Sequence, residues 1–86
     1  MTIKVLVKKE INDEILKFPS DLRERILGTL RELEATWPMC RLDIKKLKGF
    51  QNHYRIRIGD YRILFFRESG IAMVYDISHR RYAYKK

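Results

Sequence analysis

The chain has 86 residues, 45% of them hydrophobic, with 19 Lys and Arg against 11 Asp and Glu for a formal charge of +8. That length supports one modest core, so residues 1–86 are expected to form a single domain, and that charge favours an acidic partner such as nucleic acid, anionic lipid or an acidic protein. The longest apolar run, Ile71 to Tyr75, is too short to cross a membrane; the opening MTIKVLVKKE lacks a secretion signal's apolar stretch; and the single Cys40 excludes an internal disulfide or a cysteine-based zinc site.

A reducing cytoplasm is the expected compartment. No GxGxxG, Walker loop or HExxH occurs, so dinucleotide, P-loop and zinc-protease chemistries have no support. Charge is distributed unevenly. Residues 1–44 hold 8 basic and 8 acidic side chains, whereas residues 45–86 hold 11 basic ones and only Asp60, Glu68 and Asp76 against them. The entire excess lies in the second half.

Ile3, Val5 and Val7 alternate with Lys4, Leu6 and Lys8, which predicts a short strand with one apolar face. In KEINDEILKF, residues Ile11, Ile15 and Phe18 line one face of a short helix closed by Pro19. Ser20 is the expected N-cap of a second helix, with Asp21 in its first turn. Its apolar stripe runs through Leu22, Ile26, Leu30, Leu33 and Trp37 and stops before Pro38. Gly28 interrupts that helix and suggests close packing against the first one. Leu42, Ile44 and Leu47 suggest a short strand ended by Gly49.

HYRIRI and YRILFF are two strands joined by Gly59-Asp60, a two-residue hairpin loop. A second turn, Ser69-Gly70, leads into IAMVYDI, and the tail SHRRYAYKK follows. The fold class is therefore α+β: an N-terminal strand, a two-helix hairpin packed on an antiparallel β-sheet, and a short C-terminal tail.

The two-residue loop sets the hairpin register. Ile58 pairs with Tyr61, Arg57 with Arg62, Ile56 with Ile63, Arg55 with Leu64 and Tyr54 with Phe65. Alternation then places Tyr54, Ile56, Ile58, Tyr61, Ile63 and Phe65 on a face the helices can cover. His53, Arg55, Arg57 and Arg62 fall on the other face. Like charges directly opposite each other are destabilising, and guanidinium forks match phosphate oxygens, so bound phosphate explains the cluster economically. His79, beside Arg80 and Arg81, carries an imidazole that can both donate and accept a proton and is a candidate for proton transfer; His53, at the hairpin edge, is a weaker one. Two histidines without a cysteine or carboxylate partner make no metal site, and no cofactor is implied.

IKKLKG at 44–49, YRIRIGDYRILF at 54–65 and ISHRRYAY at 77–84 together resemble the RelE/ParE toxin superfamily. The first strand and helical hairpin fit it too. The resemblance implies the toxin of a type II toxin–antitoxin system: a RelE-like mRNA interferase that cuts messenger RNA in the ribosomal A site, the 2′-hydroxyl attacking the neighbouring phosphate. By position, Arg55 and Arg57 match the two basic residues before the turn, and Arg62 matches the arginine expected to stabilise phosphate charge. Arg80 matches the arginine that starts the tail, and Tyr84 the late tyrosine that orients a base or moves a proton. Lys45, Lys46, Lys48 and Arg81 are further RNA- or phosphate-binding candidates.

The best-studied RelE-like sites carry lysines where this chain has Arg55 and Arg57. Arginine does not lose its proton, so neither residue is a general base. Proton transfer then falls to His79 or Tyr84, or the reaction relies on electrostatic stabilisation and ribosome-imposed geometry. The resemblance also implies a RelB-like antitoxin, acidic where it covers the basic face, beside the ribosome and mRNA as partners. Two other functions stay open: a ParE-like gyrase inhibitor, and a non-catalytic basic module that binds RNA or an antitoxin.

Overall fold

The structure is a computed structural model that describes residues 3–39 and 41–79. The chain order is β1 (Lys4–Val7), α1 (Lys9–Leu16), α2 (Ser20–Thr36), β2 (Ile44–Lys46), β3 (His53–Ile58), β4 (Tyr61–Glu68) and β5 (Ile71–His79). The five strands form one sheet in the order β1-β5-β4-β3-β2. Strands β2 to β5 are antiparallel neighbours, while β1 lies parallel to β5. The sheet is therefore mixed. A parallel pair needs a long crossover, but here the whole chain from α1 to β4 separates β1 from β5.

Both helices cover one face. Ile15 of α1, Ile26 and Leu33 of α2, Ile56 of β3, Ile63 and Phe65 of β4 and Val74 of β5 are fully buried and form the centre of the core. The apolar stripe of α2 thus packs on the predicted hairpin face. Phe18, just past α1, still reaches the sheet and stacks tilted on Tyr61 at 5.3 Å. Trp37 closes the other end, edge-on to Tyr54 at 5.3 Å and to Phe65 at 6.1 Å.

Two local expectations are corrected. Pro19, not Ser20, occupies the cap position of α2, and Ser20 is already helical, with no side-chain cap bond. Proline is pre-set for this entry and has no N–H to satisfy. A Cβ at Gly28 would meet nothing within 4 Å, so this glycine marks no close helix contact. The edges of the sheet are closed differently. At β1 the backbone N–H of Val5 donates to Glu34 Oε2 of α2 at 2.8 Å. At the opposite edge, β2 is only three residues long and carries Lys45 and Lys46, two devices that discourage further strand pairing.

Candidate nucleic-acid interface

The β3–β4 register places Ile58 opposite Tyr61, Arg57 opposite Arg62, Ile56 opposite Ile63 and Arg55 opposite Leu64. Gly59 takes a φ of +57° at the first loop position, the conformation glycine adopts most cheaply there. The face away from the helices therefore carries His53, Arg55 and Arg57 from β3, and Arg62, Leu64 and Phe66 from β4. Lys45 joins them from β2, directly opposite Arg55.

The arginines are not equivalent. Arg57 is exposed. Arg55 is 13% exposed, with its Nη1 3.6 Å from Asp43 Oδ1. That distance is an ion pair but too long for a hydrogen bond, and among the described residues the buried Nη1 has no acceptor. An orphaned guanidinium N–H is costly. Asp43 escaped the sequence reading because only the β2–β3 pairing brings it near; the Arg57 N–H bonds to its carbonyl at 3.0 Å.

Strand β5 holds the largest surprise. Leu64 pairs with Asp76 but Phe65 pairs with Val74, so Tyr75 is the extra residue of a bulge. The bulge shifts the alternation beyond it by one. Ile77 turns into the core opposite Ile63, and Ser78 faces outward opposite Arg62. His79 pairs with Tyr61, and their rings meet edge-to-face at 5.1 Å. Because Tyr61 packs on Phe18, His79 stands on the helix side of the sheet, across it from the arginine row. Ser78 and His79 belong to β5 rather than to the tail. The tail candidates Arg80, Arg81 and Tyr84 lie outside the described residues.

Tyr75 itself points to the outer face. Its hydroxyl lies 2.8 Å from His53 Nδ1. Burial, and then the adjacent Asp76 carboxylate, push the phenol above its ordinary value, so it is neutral at physiological pH. Phe66 packs against both rings, 5.7 Å from His53 and 6.0 Å from Tyr75. The outer face thus has a cationic end at Arg57 and Arg62 and an aromatic end at His53, Phe66 and Tyr75. Lys46 sits opposite Tyr54, off the outer face, and Lys48 lies in the loop beyond β2. Arg25 of α2 was not a sequence candidate, yet its guanidinium reaches the hairpin turn, with Nη1 3.7 Å from where a Gly59 Cβ would stand. Among the described residues no three His, Cys, Asp or Glu side chains gather into a metal-binding group.

The profile of the family described as "ParE toxin of type II toxin-antitoxin system, parDE" matches residues 5–84. The chain belongs to the RelE/ParE toxin superfamily. It is 33% identical over 84 residues to Toxin RelE3 of Methanocaldococcus jannaschii, covering 95% of this chain and 96% of that protein. The fold is similar to the toxin in the RelB-RelE antitoxin-toxin complex from Methanococcus jannaschii, with a TM-score of 0.77 and 31% identity over 92% of this chain and 94% of that one. It is also similar to the archaeal RelE-RelB complex from Pyrococcus horikoshii OT3, with a TM-score of 0.78 and 26% identity over 93% of this chain and 97% of that one. Both relatives were crystallised with a RelB antitoxin. The chain is a RelE-family toxin of a type II toxin–antitoxin system.

Proposed function

We propose that this RelE-family toxin is a ribosome-dependent endoribonuclease that cuts messenger RNA in the A site and so stops translation. The observation that carries the reading is the arginine row of the outer face, Arg55, Arg57 and Arg62 on two paired strands, with one Arg55 donor lacking an acceptor among the described residues. In the cleavage, the 2′-hydroxyl oxygen bonds to the adjacent phosphorus and gives up its proton. The bond from phosphorus to the next nucleotide's 5′ oxygen breaks, and that oxygen takes up a proton. Arg62 neutralises the charge that builds on the phosphoryl oxygens. Arg55 and Arg57, with Lys45, hold the flanking backbone.

Proton transfer belongs to Tyr84 or to His79, whose ring meets Tyr61 edge-to-face, or the reaction runs on charge stabilisation and the geometry the ribosome imposes. Arg80, Arg81, Lys46 and Lys48 are further cationic candidates for holding the RNA backbone. The natural partner in the resting cell is a RelB-like antitoxin that covers this face.

A second reading, inhibition of gyrase without cleavage, is favoured by the ParE description of the matching family. Expression of the toxin in a sensitive host separates the two. Message cleavage and translation arrest without DNA damage support the ribonuclease, whereas gyrase-linked DNA breaks with intact messages contradict it.

A further inference from the structure

Of the exposed large apolar side chains among the described residues, Leu16, Met39, Phe50 and Ile71, only Phe50 is aromatic, and it is 61% exposed. It stands in the β2–β3 loop, in an open concavity of about 670 Å³ lined by Lys46, Leu47, Lys48, Gly49, Phe50 and Gln51. Its ring is not isolated. Phe50 lies 5.8 Å from His53, tilted by 57°. His53 is in turn fixed by its bond to the Tyr75 hydroxyl and by Phe66.

A surface phenylalanine contributes little to a core. Here it extends a fixed aromatic floor into a cationic loop, at the end of the face that the arginines dominate. From His53 to Arg55 is about 7 Å along the strand, so a base resting on Phe50 leaves its backbone beside Lys45 and Arg55. Aromatic faces flanked by cations are how sequence-tolerant proteins hold single-stranded nucleic acid.

We infer that Phe50, supported by the His53–Tyr75–Phe66 cluster, is a stacking site for one unpaired nucleobase of the RNA strand whose phosphates lie on the arginine row. The inference rests on the ribonuclease reading for its ligand but not for its test. The site needs no base-specific hydrogen bond and takes any base, purines best because they offer more surface.

The test is binding of the purified toxin to a short oligoribonucleotide carrying 2-aminopurine, beside the same strand with that base removed. The wild type is expected to quench the 2-aminopurine and to prefer the base-bearing strand by about tenfold, the worth of one stacked base. Phe50→Ala and Phe50→Leu should lose the quenching and the preference, and Phe50→Trp should keep both. Equal affinity of the wild type for the two strands, or a preference that survives in Phe50→Ala, overturns the site. Weaker antitoxin binding by Phe50→Ala with unchanged base preference also overturns it and makes Phe50 part of a protein interface. Message cleavage by the wild type in cell-free translation is read separately. A wild type that prefers the base but cuts no message keeps the stacking site and removes the ribonuclease reading; one that cuts but shows no base preference does the reverse.

Discussion

The two faces of one sheet obey opposite rules. On the inner face Ile56, Ile63 and Phe65 are fully buried beneath the helices. On the outer face the same two strands set Arg57 directly against Arg62 and leave an Arg55 nitrogen without an acceptor among the described residues. The inner face is optimised for stability. The outer one accepts like-charge proximity, which costs stability, whereas a buried guanidinium nitrogen without an acceptor among the described residues occurs on both faces, at Arg55 and at Arg67 beside Trp37.

Substitutions on the two sides should therefore separate stability from activity. Phe65→Ala opens a cavity in the centre of the core and should cost about 3–5 kcal/mol. For a domain of this size that is a large share of the total, and chemical denaturation will show a folded population that is depleted or lost. Arg62→Ala should leave the denaturation midpoint nearly unchanged while message cleavage falls by about 100- to 1000-fold, the usual loss when one charge-stabilising donor is removed. Equal losses of folding and cleavage in that variant would break the division between the faces.

Asp43→Asn sharpens the comparison. It removes the carboxylate that competes with phosphate for Arg55, so RNA affinity should rise a few-fold. Stability should change by less than about 1 kcal/mol because Asp43 is half exposed. The smallest effect is the most diagnostic in sign. Arg57→Thr removes one member of the cross-strand arginine pair and should raise stability by a few tenths of a kcal/mol. The same change should weaken RNA binding and flatten its dependence on log salt concentration by about 0.7, the loss of one phosphate contact to a single strand. A variant both less stable and unchanged in RNA binding would contradict the reading of the outer face.

Much of this division was legible in the residues. A two-residue Gly59-Asp60 loop leaves one register for the hairpin, and strict alternation then assigns every side chain of β3 and β4 to a face. The helices were equally readable from their stripes, although Pro19 took the cap position expected of Ser20. Strand β5 was not fully readable. In Val74-Tyr75-Asp76-Ile77 nothing local distinguishes a regular strand from one with Tyr75 bulged out, and the choice is made by burying both Val74 and Ile77. That tertiary decision moves His79 to the helix side and delivers Tyr75 to His53. The Asp43–Arg55 pair was hidden for a similar reason, since it depends on how the loop of residues 47–52 folds β2 back onto β3. The parallel placement of β1 likewise rests on contacts between the two ends of the chain.

The central claim is that the arginine row cuts RNA on the ribosome. Its most direct test is cell-free translation with the purified toxin, followed by primer extension on the message, with Arg62→Ala alongside. The account predicts cuts that require translating ribosomes and vanish in the variant. Uncut messages with translation unaffected, or cuts that persist undiminished in Arg62→Ala, would contradict it.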